Sequence, residues 1–133
     1  MGVSELSNAR ILLVDDFVPW HEAVKLLLKA NPALQVIGTA TNGMEAVMMA
    51  RALRPDVVLL DIGLPQMSGI EAAPHILRVS PKSKIIFLTV NDSASIQEKA
   101  LSTGAQSYVL KSDAVHQLLP ALEALLKQIN CVD

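Results

Sequence analysis

The sequence predicts an α/β protein in which helices cover both faces of a parallel sheet. Three tetrads recur along the chain, ILLV, VVLL and IIFL, and each is a short apolar run without alternating polar residues. Such runs are typical of strands that are buried on both faces, as in parallel sheets. Helical patterns separate the tetrads, and a chain that alternates strands with helices folds as repeated βα units.

Five strands are expected along the chain. The tetrads occupy 11–14, 57–60 and 85–88, while LQVIGTAT at 34–41 is more mixed and is expected at a sheet edge. SYVL at 107–110 is the fifth. Five successive βα units predict a single doubly wound domain with a five-stranded parallel sheet.

Helix boundaries follow from residues with known terminal preferences. Three dipeptides predict helix ends, because the residue before proline disfavours helical angles: Asn31-Pro32, Arg54-Pro55 and Ser80-Pro81. Two pairs have the spacing of a capping box and predict helix starts: Ser68 with Glu71, and Ser95 with Glu98. Gly104 suits a left-handed helix end. One face of the first helix is expected to be apolar: Trp20, Val24, Leu27 and Leu28.

Composition narrows the class of protein. Of 133 residues, 51% are hydrophobic and 18% charged, which indicates a globular chain. A net charge of -2 argues against a nucleic-acid-binding surface. No apolar run approaches the length of a membrane span, and the N-terminus lacks the pattern of a signal peptide. Cys131 is a single cysteine, and the three histidines have no zinc-site spacing with it. A cytoplasmic protein is expected.

Polar side chains follow the strands at their carboxyl ends, where parallel sheets place their ligand sites. Asp61 stands directly after VVLL, and a lone buried carboxylate is costly unless its charge is compensated. The other strand tips carry further polar residues: Asp15, Asp16, Thr89 and Lys111. Taken singly, each of these residues could serve only to cap a helix or to carry a charge at the surface. Their common position on one rim of the sheet instead favours a single functional site that they form together.

The charges on this rim predict its chemistry. Three clustered carboxylates repel one another, so a bound cation is expected. Few, hard oxygen ligands suit Mg²⁺, which keeps some of its waters and often bridges to phosphate oxygens. Asp61 is then the candidate nucleophile that forms an aspartyl phosphate. Lys111 would neutralise the equatorial oxygens, and Thr89 would donate its hydroxyl to the phosphoryl group.

Four stretches, in this order, resemble the receiver (phosphoacceptor) domain of bacterial two-component response regulators: LLVDD (12–16), LLDIGLPQMSGIEA (59–72), FLT (87–89) and GAQSYVLK (104–111). The second stretch, an acid followed by Leu-Pro-x-Met-x-Gly, is highly specific. The resemblance covers 9–129 and leaves 1–8 as an N-terminal tail and 130–133 as a C-terminal tail or the start of a linker. It implies the flavodoxin-like strand order 2-1-3-4-5.

The resemblance also implies a ligand set for Mg²⁺. Asp16 would bind the metal directly and Asp15 partly through water. Asp61 and the backbone carbonyl of Gly63 would complete the ligands that the protein supplies.

The resemblance further implies a switch and its partners. Tyr108 would be the switch aromatic, which moves inward as Thr89 is drawn to the phosphoryl group. The donor would be a phosphohistidine on a sensor histidine kinase. The signalling surface would comprise 91–113 and the last helix, and a homodimer through the first or the last helix is left open.

Two positions depart from the usual receiver pattern. Lys111 is followed by Ser112 instead of proline, so a cis peptide is not expected. Val90 follows Thr89 where the family has a small residue, and its larger side chain is expected to narrow phosphoryl access or restrict Thr89. The Lys-Ser pair and LPQMSGIEA resemble the NarL/LuxR type of transcription factor. In that type, DNA would be bound by a C-terminal output domain after Asp133.

Two other functions stay open. A phosphorylation-independent interaction module would keep the acids but not the switch, and Val90 is its only support in the sequence. A phosphohydrolase of the haloacid-dehalogenase kind needs a second acid two residues after the nucleophile, where this chain has Gly63. The chain is not expected to be an enzyme beyond catalysing its own phosphorylation and dephosphorylation.

Overall fold

A computed structural model of the chain describes residues 8–130, with side chains for 8–128. Five strands form one sheet: Ala9–Val14 (β1), Leu34–Ala40 (β2), Val57–Leu60 (β3), Lys84–Thr89 (β4) and Ser107–Leu110 (β5). Their order is β2-β1-β3-β4-β5, and every neighbouring pair is parallel. The predicted strands, the edge position of β2 and the flavodoxin-like order are confirmed. The predicted tails lie largely outside the described residues.

Helices follow the strands in the predicted alternation: Val18–Leu28 (α1), Gly43–Leu53 (α2), Gly69–Val79 (α3), Ala94–Leu101 (α4) and Ala114–Asn130 (α5). A short 3-10 helix, Lys111–Asp113, joins β5 to α5. Among the described residues, no helix has the length and apolar content needed to cross a bilayer.

The predicted ends of α2 and α3 are confirmed, α1 ends at Leu28, three residues before Asn31, and one predicted helix start is wrong. Ser68 and Glu71 form a reciprocal capping box at α3, and Gly104 has a left-handed φ of 101°. At α4 the capping residue is Ser93, whose hydroxyl accepts the Ile96 N–H at 3.4 Å. Ser95 instead lies in the first turn of α4. Spacing alone favoured Ser95, but the chain already turns into the helix two residues earlier.

The sheet has an apolar core on each face, because successive strand residues point to opposite sides. On one face, Ile11, Leu13 and Leu59 pack against α1 and α5. On the other face, Leu12 and Leu60 pack against α2, α3 and α4. Full burial of one such side chain contributes about 1.5–3 kcal/mol. These two layers explain why the central strands are continuously apolar, and they direct the polar residues to the strand ends.

Candidate functional site

Asp61 lies at the carboxyl end of β3 and is almost completely buried. Its backbone N–H donates to the carbonyl oxygen of Val14 at 3.0 Å, which fixes it beside the end of β1. Its Oδ1 accepts the Ile62 N–H at 2.8 Å. The residue is 6% exposed. The sheet therefore holds this carboxylate in one place at a buried rim.

Gly69, the first residue of α3, is needed for the backbone around Asp61 to pack. A Cβ at this position would lie 2.0 Å from the carbonyl oxygen of Asp61, so no side chain fits. The Gly69 N–H donates to the carbonyl oxygen of Ile62 at 2.9 Å. By contrast, a Cβ at Gly63 would meet nothing within 4 Å. The start of α3 is thus anchored against the loop that carries the phosphoacceptor candidate.

Asp15 and Asp16 follow β1 and differ in environment. Asp15 is buried, and its Oδ1 accepts the Phe17 N–H at 2.9 Å, whereas Asp16 is exposed. One oxygen from each of Asp15, Asp16 and Asp61 can be chosen so that all three lie within 4.8 Å of one another. The structure thus brings together the three carboxylates that the sequence predicted at this rim.

Lys111 brings a positive charge to these carboxylates. Its Nζ lies 2.6 Å from Oδ2 of Asp15 and 3.7 Å from Oδ2 of Asp61. The Oδ2 atom of Asp15 is itself buried, so the ammonium supplies positive charge to an oxygen that lies away from solvent. Nζ also lies 5.1 Å from the centroid of the Trp20 ring. No peptide bond in the described residues is cis, as expected from Ser112.

The pKa of Asp15 is raised above its usual value of 3.8. Burial is the largest cause, because it disfavours the charged form, and the negative charge of Asp61 acts in the same direction. The ammonium of Lys111 and the Phe17 N–H oppose this rise without cancelling it. The protein alone leaves the Asp15 carboxylate under-compensated, and this fits a site that receives a further cation.

Thr89, at the end of β4, and Tyr108, within the neighbouring strand β5, both bind the backbone of Asn91. Thr89 ends β4 and is 1% exposed, and its Oγ1 accepts the Asn91 N–H at 3.3 Å. The Tyr108 hydroxyl donates to the Asn91 carbonyl oxygen at 2.7 Å. Burial, then the negative charges of Asp61 and Asp92, raises the pKa of Tyr108 above 10.0. Val90, between Thr89 and Asn91, is 77% exposed.

Sequence reasoning missed three residues that support this site. His21 is buried, and its Nε2 lies 2.8 Å from the backbone carbonyl oxygen of Asp15. Trp20 was predicted only as an apolar helix residue, and Asn91 only as the start of a surface. The available signal was spacing: Trp20 and His21 come within about one helical turn of Asp16, so they face the same end of the sheet.

The comparisons with known proteins agree with this geometry. Residues 11–123 match the model of the response regulator receiver domain. A solved LuxR-family two-component response regulator from Aurantimonas sp. SI85-9A1 is 35% identical with a TM-score of 0.85, over 91% of this chain and 86% of that one.

Two curated relatives belong to longer proteins of different kinds. The transcriptional regulatory protein YdfI of Bacillus subtilis is 34% identical over 89% of this chain and 55% of its own length. A protein-glutamate methylesterase/protein-glutamine glutaminase of Methanosarcina acetivorans is 36% identical over 91% of this chain and 35% of its own length. The chain thus spans between about a third and a little over half of these relatives. Since the family model covers most of its length, the chain belongs to the response regulator receiver domain family.

Proposed function

We propose that the chain is a Mg²⁺-dependent phosphoacceptor that takes a phosphoryl group on Asp61 and passes the signal to an output domain. The observation that carries this proposal is the placement of Asp61 in the carboxylate cluster, with the ammonium of Lys111 at 3.7 Å. A buried acid at a rim with both carboxylate and ammonium neighbours suits the transfer of a highly charged group.

The carboxylate cluster fits Mg²⁺. Asp15, Asp16, Asp61 and the backbone carbonyl of Gly63 would hold the ion, and the buried Oδ2 of Asp15 and its raised pKa support a cation there. All of these are hard oxygen ligands, as Mg²⁺ prefers. When bound, the ion supplies positive charge that stabilises the oxygens of the transferring phosphoryl group.

The donor in this proposal is a phosphohistidine of a sensor histidine kinase. The Asp61 carboxylate attacks phosphorus, a P–O bond forms, and the P–N bond breaks with its electron pair returning to the imidazole nitrogen. Lys111 neutralises charge on the phosphoryl oxygens, and its short distance to the carboxylates supports that role. Later attack of water on the aspartyl phosphate releases phosphate and restores the carboxylate. The chain would then catalyse nothing besides these two reactions on itself.

The switch would run through Thr89 and Tyr108. Both bind the backbone of Asn91 in this structure, so movement of Thr89 toward a phosphoryl group would disturb the loop that Tyr108 holds. Phosphorylation would then shift an equilibrium between two conformations. Shifting it nearly completely requires about 5 kcal/mol of differential stabilisation.

The proposed output is transcriptional. The similarity to LuxR-family and YdfI proteins supports an output of this kind, with DNA bound only through a C-terminal domain beyond Asp133. The methylesterase relative shows that this domain family is also attached to other outputs. The residues that follow Asp133 in the gene test this part, since a helix-turn-helix domain is expected. A cytoplasmic location, where kinase and DNA are both accessible, belongs to the same proposal.

The test is phosphorylation by acetyl phosphate with Mg²⁺, followed by intact mass. We expect the unmodified chain to gain one phosphoryl group and Asp61→Asn to gain none. Asp56→Asn is the matched control, because Asp56 precedes the amino end of β3 and an Asn oxygen can still accept the Arg10 N–H, now at 2.8 Å. It is expected to be phosphorylated like the unmodified chain.

The same experiment separates a second candidate function. A chain that binds Mg²⁺ yet gains no phosphoryl group would refute the proposal and favour a phosphorylation-independent interaction module. Val90 supports that alternative, because its exposed side chain stands directly after Thr89, where the family has a small residue. A Val90→Ala variant that regains phosphorylation would identify this side chain as the obstacle.

A further inference from the structure

The ammonium of Lys111 has three neighbours, and only two of them are carboxylates. It is closest to Asp15, at 2.6 Å, and farther from Asp61, at 3.7 Å. The third neighbour is the indole ring of Trp20, whose centroid lies 5.1 Å away. In this structure the Lys111 ammonium is therefore closer to Asp15 than to Asp61, whereas the proposed reaction needs its positive charge beside Asp61.

Trp20 is held firmly enough to act as a fixed partner. Its backbone N–H donates to the Phe17 carbonyl at 3.0 Å in the first turn of α1, which also contains a proline. The next residue, His21, is buried with Nε2 2.8 Å from the Asp15 carbonyl oxygen. The indole packs against the core between the sheet and the α1 and α5 helices. The start of α1 thus sets the ring beside the acidic rim.

The face of an aromatic ring attracts a cation through its quadrupole, most strongly for tryptophan. This attraction matters most where water is excluded, and the Lys111 side chain is only 14% exposed. The attraction between the Asp15 carboxylate and the Lys111 ammonium weakens once another cation binds that carboxylate. A neutral ring does not compete for that cation, so it keeps its attraction for the ammonium throughout.

We infer that Trp20 is a positioning residue for the phosphoryl transfer, whose ring face holds the Lys111 ammonium at the rim, within a few ångströms of Asp61, when Asp15 binds a cation. This inference rests on the proposed function and extends it. The ring touches no reacting atom, because it acts through the lysine. A tryptophan that served only to fill space would be replaced without loss by any side chain of similar shape.

Trp20 is the single tryptophan of this chain, so biosynthetic incorporation of fluorinated tryptophan changes this one ring alone. Each added fluorine withdraws electron density from the ring face and weakens its attraction for a cation with little change of shape. The readout is the rate of phosphorylation by acetyl phosphate with Mg²⁺, measured by intact mass. Trp20→Phe and Trp20→Leu complete the series, because Phe retains a weaker ring face and Leu has none.

We expect the rate to fall stepwise from tryptophan through its monofluorinated, difluorinated and trifluorinated forms. Trp20→Phe should lie between the unmodified chain and Trp20→Leu, with a total loss of about twofold to thirtyfold. Equal rates along the fluorinated series would overturn the inference, even if Trp20→Leu is slow, because a packing role depends on shape alone. Circular dichroism of each protein excludes misfolding as the cause.

A second readout separates failure of this inference from failure of the proposed function. The ¹⁹F resonance of monofluorinated Trp20 is expected to shift between the unmodified chain and Lys111→Met, since the ammonium lies over the ring. No shift would refute the contact itself. If the ¹⁹F resonance shifts but neither the unmodified chain nor any variant is phosphorylated, the proposed function is refuted. The role assigned to Trp20 in phosphoryl transfer is then refuted as well.

Discussion

Replacement of Asp15 by Asn is expected to stabilise the chain in metal-free buffer and to weaken its stabilisation by Mg²⁺. With an effective dielectric constant of about 20, Lys111 at 2.6 Å attracts the Asp15 carboxylate by about 6 kcal/mol. Asp61, within 4.8 Å, repels it by at least about 3.5 kcal/mol. Burial of a charged group costs several kcal/mol more. The terms nearly cancel, and the raised pKa of Asp15 indicates that the unfavourable ones prevail.

Because the attractive and the unfavourable terms nearly cancel, the net gain for Asp15→Asn at neutral pH is expected to be on the order of 1 kcal/mol, or about 2–6 °C in Tm. Because the folded-state pKa is raised, the folded chain binds the proton more tightly than the unfolded chain. The contribution of Asp15 to stability is thus lost as pH rises from 3.8 through the folded-state value. The difference between variant and unmodified chain should be small below 3.8 and should grow to a plateau above that range.

Urea unfolding across this pH range, with and without Mg²⁺, measures the effect. A ligand that binds only the folded state stabilises it more when its Kd is lower. Because Asp15→Asn removes one of the proposed metal ligands, Mg²⁺ should raise the free energy of unfolding of the unmodified chain more than that of the variant. Asp16→Asn is the control, since Asp16 is exposed and its loss should change metal-free stability by less than about 0.5 kcal/mol. An Asp15→Asn variant that is no more stable than the unmodified chain in metal-free buffer at neutral pH would refute this reasoning.

Two further predictions follow from the surroundings of Asp61. Gly69→Ala should cost more than about 2 kcal/mol in urea unfolding, because its Cβ would overlap the Asp61 carbonyl, whereas Gly63→Ala should stay within about 0.5 kcal/mol. Equal effects of the two substitutions would contradict the geometry. Tyr108 is the single tyrosine, so ultraviolet absorbance of the phenolate follows the ionisation of this residue alone. The midpoint of its titration should lie above 10.0, because burial and the negative charges of Asp61 and Asp92 disfavour the phenolate. Its contribution to stability is lost as pH rises from 10.0 through that midpoint, and a midpoint at or below 10.0 would count against the proposed environment.

Short-range patterns carried most of the fold prediction. The three apolar tetrads became the three central strands because continuous apolar runs fit only strands that are covered on both faces. The proline-containing dipeptides marked helix ends because proline restricts its neighbour locally, whatever the tertiary context. The wrong cap at Ser95 shows the limit of this reasoning. Ser93 and Ser95 are both competent caps, and the path of the loop after β4 decides between them.

The sequence also predicted which residues lie at the site, because parallel strands end at one edge of the sheet and the residues that follow them lie close together there. Asp15, Asp16, Asp61 and Lys111 lie together for this reason. The burial and the hydrogen-bond partners of each of these residues could not be predicted from the sequence. Asp15 is buried while its neighbour Asp16 is exposed, because adjacent residues at a strand end point to different sides.

The alternation of strands and helices and the set of polar residues at the strand tips could both be predicted, because each depends on patterns within a few residues. The pairing of those polar residues depends on the packing of distant segments. Lys111 and Trp20 are far apart in the chain, and their contact exists only because the short helix after β5 and the start of α1 lie at the same rim. The same holds for the bond between Tyr108 and Asn91. Distances of a few ångströms between such segments follow from packing of the whole domain, which no local pattern encodes.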